Sequence, residues 1–467
     1  MSFFDYFEKR QRTYPQNVKG KIRNIKNLIN IALLPLFFLL PFLRFDRGPN
    51  LPDQAILIDI VNSRFYFFFI RIWPEELYYL VGLLIIAAIA LFFVTSLFGR
   101  VWCGYTCPQT VWTDIFIKIE RFFQGDRNAR IILDRKNNFS KIILKIGTHI
   151  AWIFFSLLTG FAFVLYFNDV FLVINGFVNM DLSINILWWI LGVAFMTYLM
   201  AGFAREQVCN YMCPYARFQS VMFDQDTLIV TYDNKRGEPR SKYKKGQSMS
   251  DRGHCIDCKQ CVVVCPQNID IRNGLQMECI ACGLCIDACN SVMKKLDLPP
   301  GLIRYDTQNH MSHLKDNTTK FSLLRPRTFY YSFIMILVTF LMIFTLYNRS
   351  DIDLSVDAMR NPLFVKLSNG SIRNGYKIKI YNKSNIIKYY NLKIAGLDNY
   401  LIKVQTPKDT DLKNIKINND STVRMKIYII SERPATKEKI KNNKIDFILK
   451  DNNSGEFVME GSSFISP

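Results

Sequence analysis

The chain has 467 residues, 50% of them hydrophobic, with 38 Phe, 22 Tyr and a formal net charge of +20. Soluble domains can reach that apolar share, so composition alone does not exclude a water-soluble protein. A strongly basic chain can be a nucleic-acid binder, but here the Lys and Arg alternate between loops instead of forming one patch, which argues against that class.

In chain order, the start MSFFDYFEKRQR is polar and no small-residue cleavage site follows, so no cleavable signal peptide is expected. Five stretches approach the roughly 20 apolar residues that a bilayer crossing takes. They are 28–45, 78–98, 150–167, 184–203 and 328–347. The first is short and contains Pro35 and Pro41. Ala55 to Trp73 is also apolar but carries Asp59, Asn62, Arg64 and Arg71. It is expected to be interfacial or partly re-entrant, without spanning.

Seven Lys/Arg precede the first span, four lie in 44–77, nine in 99–149, none in 168–183 and eighteen in 204–327. By the positive-inside rule the N-terminus, 99–149 and 204–327 are cytoplasmic, and the tail after 348 is outside, in the periplasm of a bacterial cell. The expected organisation is a cytoplasmic segment 1–27, a four-helix membrane region 28–223, a cytoplasmic domain 224–327, a fifth span 328–348 and an outer domain 349–467.

All twelve cysteines lie between 103 and 289, in or beside the cytoplasmic segments. Thiols there stay reduced, so metal binding or redox work is expected and disulfides are not. Residues 103–108 read CGYTCP and residues 209–214 read CNYMCP, with an offset of 106 at both cysteines. The stretches 78–123 and 184–223 look like an internal repeat. A residue before proline avoids helical geometry, and proline suits a helix's first turn. Pro108 and Pro214 therefore each start a new helix, amphipathic enough to lie on the membrane surface. Each second cysteine sits at a helix N-terminus, which favours the thiolate, and Arg100 and Arg205 act in the same direction. If the repeats meet, Cys103, Cys107, Cys209 and Cys213 form a four-thiolate site suited to Cu(I), zinc or an iron–sulfur cluster. Packing as small buried hydrophobes is the plain alternative.

Residues 255–266 read CIDCKQCVVVCP and residues 279–290 read CIACGLCIDACN, offset by 24. This is the spacing of bacterial two-cluster ferredoxins, in which the fourth cysteine of each run serves the other cluster. Cys255, Cys258, Cys261 and Cys289 then hold one [4Fe–4S] cluster, and Cys279, Cys282, Cys285 and Cys265 the second. Asn290 stands where the second run usually has proline. A pair of zinc sites is the competing reading, but zinc takes separated cysteine pairs. Phosphate loops, nucleophile elbows and dinucleotide glycine motifs are absent. His149 and His254 are expected to be satisfied or solvated, while His310 and His313 lie in a polar linker (305–325) and carry no clear signal. Residues 362–467 alternate apolar and polar in short runs such as YKIKIYN and KIDFILKD, the pattern of a β-sandwich.

The run from Cys255 to Tyr305 resembles the CcoG/FixG/RdxA family of cytochrome c oxidase accessory proteins, which are membrane-bound polyferredoxins. The likeness extends to WCGYTCPQTVWTD, CNYMCPYARFQSVMFD and RFYFFFIRIWPEE, and covers most of residues 50–305. The resemblance implies a role in assembling a cbb3-type oxidase by reducing Cu(II) to Cu(I). It also implies assembly factors and copper chaperones or transporters as partners, and an immunoglobulin-like C-terminal domain. The expected fold is thus a bundle of about five transmembrane helices, a two-[4Fe–4S] α+β ferredoxin module near 250–298 and an all-β sandwich. The leading expectation is a cupric reductase of the bacterial inner membrane, with copper held by Cys103, Cys107, Cys209 and Cys213. A quinol-linked electron carrier and a non-enzymatic copper-binding scaffold are the rivals.

Overall fold

A computed structural model describes residues 13–48, 51–242, 252–312, 323–384, 386–396, 400–405, 411–431 and 441–466. The polar start of the expected 1–27 segment and His313 lie outside the described residues. Five helices are long and apolar enough to cross a membrane: Lys21–Phe42, Pro74–Phe98, Phe139–Val164, Ile184–Ala204 and Pro326–Tyr347. The third starts eleven residues before its expected position, because Lys141 and Lys145 sit in its first turns and interrupt the apolar run. Residues 55–73 are not helical. They form a three-stranded antiparallel sheet of Ile56–Asp59, Arg64–Phe67 and Ile70–Ile72. The Arg47 guanidinium holds it to the chain before it, donating to the carbonyls of Gln54 at 2.8 Å and Ala55 at 2.8 Å.

The helix Pro108–Gln124 does not rest on the outside of the bundle. Phe116 stacks on Trp152 of the third span at 5.3 Å and packs with Ala201 of the fourth. Its buried face also carries two acids. Asp114 takes a bidentate pair from Arg23 of the first span (2.8 and 3.0 Å) and a third bond from Asn30 at 3.0 Å. Glu120 is fully buried and bridges Arg130 at 2.6 Å and Arg205 at 2.9 Å. Polar side chains inside a membrane bundle are costly unless paired, and these pairs fix the helix between three spans. Removing the shared partner takes the carboxylate away from two buried cations. Glu120→Ala is expected to cost about 3–5 kcal/mol, read as a lowered unfolding temperature in detergent.

The segment after the fourth span folds around the antiparallel pair Ile229–Tyr232 and Ile303–Asp306, with helices Gln260–Val263 and Leu284–Lys295. The first span is anchored to it. Asp287 accepts from the backbone N–H of Ile22 at 3.3 Å and of Arg23 at 2.8 Å, satisfying the open N-terminus of that helix. A Cβ at Gly20 would overlap this carboxyl, so the approach needs glycine there.

Residues from Ile343 onward form a separate compact unit. Its antiparallel strands make two sheets. One runs Tyr400–Gln405, Ser421–Ser431, Ile372–Asn382, Ile352–Ala358; the other Ile415–Ile417, Lys388–Ala395, Lys441–Asp451, Phe457–Ser466. Alternate residues point inward, so Tyr376, Ile378 and Ile380 share one core with Tyr390, Phe447 and Leu449. The chain has no cysteine in this unit, and Tyr376 packed edge-on to Phe447 at 5.2 Å fills part of the centre instead.

Candidate functional site

Each arm of the repeat bends before its thiol pair. The second span ends at Phe98 and Gly99 turns at φ 59° into the short helix Val101–Tyr105. The fourth span ends as a π-helix, Tyr198–Ala204, and Arg205 turns at φ 39° into a second π turn, Val208–Met212. Gly99 and Arg205 are spaced like Cys103 and Cys209, so the bend itself is repeated. Positive φ suits glycine and strains arginine. Arg205 is held there by Glu120, and its Nε donates to the Gly202 carbonyl at 2.8 Å. Arg205 therefore serves the backbone turn and the buried ion pair, and not the thiols as expected. Cys107 and Cys213 are extended, each before its proline and a new helix, as the sequence predicts.

The two arms bring all four thiols together. Each of the six sulfur pairs among Cys103, Cys107, Cys209 and Cys213 is close enough to interact electrostatically. The Cys103 thiol donates to Gln219 Oε1 at 2.9 Å. Gln219 is fully buried, and its Nε2 donates to Tyr215 OH at 2.7 Å and Thr95 Oγ1 at 3.0 Å. Burial pushes Cys103 up to about 11 and Cys209 to about 12, against the pull of Arg100. Cys107 is also raised by burial, although the N–H groups of Gln109 and Thr110 oppose it. The expected helix-terminus effect exists and desolvation outweighs it, so metal must displace thiol protons here.

The two ferredoxin runs repeat each other in backbone conformation. Asp257 and Lys259 in the first run, Ala281 and Gly283 in the second, all have positive φ, so both loops wrap the same way. One narrow cavity is lined by Cys255, Cys258, Cys261 and Cys289. A second is lined by Cys265, Cys279, Cys282 and Cys285, with Cys261 at the edge. The fourth cysteine of each run thus faces the other run's three. Sulfur donors inside apolar walls of Val230, Ile269 and Ile271 fit an iron–sulfur cubane. Among the described residues no three His, Cys, Asp or Glu side chains close on a single-ion position, here or at the thiol quartet. A cubane spreads its ligands wider than one ion does. Burial again raises the thiols, Cys261 to about 11 and Cys265 and Cys289 to about 12. Asn290, in place of the usual proline, accepts from the Gly301 N–H at 2.8 Å and so closes the loop after its helix. The described histidines are partnered: His254 by Arg236 at 3.0 Å, His310 by Asp306 at 2.7 Å and His149 by Tyr198 at 3.0 Å.

The quartet touches the second cysteine cavity directly. A Cβ on Gly104 would lie 2.7 Å from the Ile280 carbonyl oxygen and 3.0 Å from Cys282 Cα. Cys103 and Cys282 belong to one buried cluster with Ile280 and Leu284. Tyr105 OH donates to Tyr305 OH at 3.0 Å, which in turn donates to the Ala281 carbonyl at 2.6 Å. Sequence reading missed Gly104, Gln219 and Tyr305. The one available signal was asymmetry, since the copy of Gly104 in the other arm is Asn210.

Three family models match the chain: a 4Fe-4S binding domain over 80–128, a 4Fe-4S dicluster domain over 204–308, and the IG-like fold at the C-terminus of FixG over 342–467. "Nitrogen fixation protein FixG" of Rhizobium meliloti (strain 1021) is 39% identical over 456 residues, covering 91% of this chain and 87% of that one. "Protein RdxB" of Cereibacter sphaeroides is 40% identical over 464 residues, covering 98% and 97%. "Protein RdxA" of the same organism is 45% identical over 390 residues, covering 82% of each. Apolar spans, a dicluster ferredoxin module and an immunoglobulin-like sandwich together define a membrane-bound polyferredoxin, a multi-pass iron–sulfur electron-transfer protein. The chain belongs to the FixG/RdxA family of these proteins.

Proposed function

We propose that the protein reduces Cu(II) to Cu(I) for assembly of a cbb3-type cytochrome c oxidase. The observation that carries this reading is the packing of four convergent thiols, through Gly104, onto the loop of the second cluster site. Two [4Fe–4S] clusters supply one-electron storage and relay when bound. Cys103, Cys107, Cys209 and Cys213 would hold the copper by drawing closer than they lie here, where no three of the described side chains close on a single-ion position. One electron passes to Cu(II) and leaves Cu(I), which thiolates bind more tightly than Cu(II), so the product is favoured. Arg100 stands beside the quartet and compensates charge as the thiols lose protons. The alternation of basic loops supports a bacterial inner-membrane location, with the ferredoxin module cytoplasmic and the sandwich periplasmic. Copper chaperones or transporters and oxidase assembly factors are the partners this chemistry calls for.

The test uses protein reduced, freed of reductant and mixed with Cu(II), with Cu(I) read by a chelating dye. The Cys103→Ala, Cys209→Ala double variant is expected to fall to the background of buffer alone while keeping its cluster iron. An unchanged rate would refute the thiol role. A second reading is favoured by the 4Fe-4S binding model matching 80–128, which contains Cys103 and Cys107. In it the quartet holds a third cluster. Iron analysis separates the two: about eight per chain for the copper site, about twelve for a third cluster.

A further inference from the structure

Apart from the cysteine-lined cavities, a larger one opens beside the second arm of the repeat. One side of its wall is aromatic, made by His149 and Trp152 of the third span and Phe203 of the π-helical end of the fourth. His149 lies nearly parallel to Phe203 at 5.9 Å and edge-on to Trp152 at 5.2 Å. The His149 Nδ1 shares a hydrogen bond with Tyr198 OH at 3.0 Å. Phe203 is 43% exposed at the end of its span, so the aromatic part of the cavity reaches the outer surface of the helix bundle. A π turn is uncommon and concentrates where a side chain is re-aimed for function.

The rest of the lining is polar and charged, including Glu120, Gln124, Asp134, Lys145 and Glu206. Gln124 is 6% exposed; its Nε2 donates to Thr148 at 2.8 Å, and its Oε1 has no partner among the described residues. Lys145 pairs with Asp134 at 2.7 Å, and Lys141 donates to the Asp134 carbonyl at 2.9 Å. Both ammonium groups are thus engaged, which suits the site poorly to a phosphate. The cavity asks for a flat ring with hydroxyls at the polar side and an apolar tail toward the outer surface.

We propose that this cavity binds a lipophilic para-quinol and oxidises it, supplying the electrons of the relay. The inference names a donor for the copper reduction proposed above, but the binding itself does not depend on copper being the acceptor. The ring sits in the box of His149, Trp152 and Phe203, and its tail leaves past Phe203. The route inward is short in residues. Thr13, Arg205 and Glu206 line this cavity and also a neighbouring one, whose other walls carry Cys209, Gln267 and Ile280. Gln267 and Ile280 lie in the loops of Cys265 and Cys279. A quinol loses two electrons and two protons and becomes the quinone. With clusters held by Cys255, Cys258, Cys261 and Cys289 and by Cys265, Cys279, Cys282 and Cys285, the two electrons would be taken up one by each and passed on to two Cu(II) ions. The two hydroxyl protons leave to solvent at the polar side.

The experiment uses the full chain in detergent with its iron in place, titrated with a short-tailed benzoquinone and read by tryptophan quenching. Saturable binding is expected. His149→Gln and Phe203→Ala should each weaken it about tenfold or more, the scale of losing one good aromatic or polar contact. Trp189→Ala, on an exposed face of the fourth span, should leave it unchanged. Iron content and the dithionite-reduced spectrum certify that each variant is folded and loaded. In a second arm, short-tailed quinol is added to oxidised protein without copper, and the reduced-cluster EPR signal should appear in the parent chain and be lost in His149→Gln. Unchanged quinone affinity in both loaded variants overturns the site. So does displacement of the quinone by phosphatidylglycerol added at equal concentration, which would make it a lipid headgroup site. If quinol binds and reduces the clusters while Cu(II) stays unreduced, the copper reading fails and this one stands.

Discussion

Gly104→Val separates the thiol quartet from the cluster loop, and reoxidation of the reduced clusters by Cu(II) falls about a hundredfold, the cost of an ångström-scale misplacement. The atoms in the way are backbone, the Ile280 carbonyl and Cys282 Cα, so no side-chain rotation makes room. Cluster iron should stay at the parent value, because no ligand is touched. Stopped-flow absorbance of the clusters after mixing with Cu(II) gives the rate. An unchanged rate would show that electrons leave the ferredoxin module elsewhere. Asn210→Gly, at the matching position of the other arm, is the control and should change little.

The second large effect concerns the crossed ligands. Cys289→Ser is expected to halve the iron, from about eight to about four per chain. The lost cluster is the one whose other ligands precede it by some thirty residues in sequence, since Cys289 lines the cavity of Cys255, Cys258 and Cys261. Adding Cys258→Ser should therefore remove nothing further, whereas adding Cys282→Ser should empty both sites. If instead Cys289→Ser and Cys282→Ser act on one cluster, the crossing is wrong. Iron assay with EPR of the reduced protein decides this.

Much of this architecture could be read from residue spacing. The offsets of 24 and 106 announced two paired sets of thiols before any fold was known. Spans such as Tyr78–Phe98 are apolar all round, and nothing but lipid suits them. What stayed hidden depends on contacts far apart in sequence. The sheet at 56–72 has strands of only three or four residues, too short for alternation to register. Arg205 looked like a neighbour of Cys209, but its partner Glu120 is 85 residues away. Asp287 sits inside a cysteine run, and the spacing gives no hint that it closes the first span. The helix from Pro108 looked amphipathic, and its polar stripe of Asp114 and Glu120 turned out to be the buried one. Hydropathy alone cannot tell a solvated acid from one matched to a buried arginine.

The difference between Gly104 and Asn210 gives the repeat a direction. Two identical arms would offer the ferredoxin module two equivalent berths, related by the pseudo-symmetry of the spans. Glycine stands at only one of them, the one the cluster loop occupies. The module then has a single orientation, with the second cluster site nearest the membrane thiols and the first one held away. Duplication supplied a symmetric cup of sulfur, and one missing side chain made it a wire with a beginning and an end.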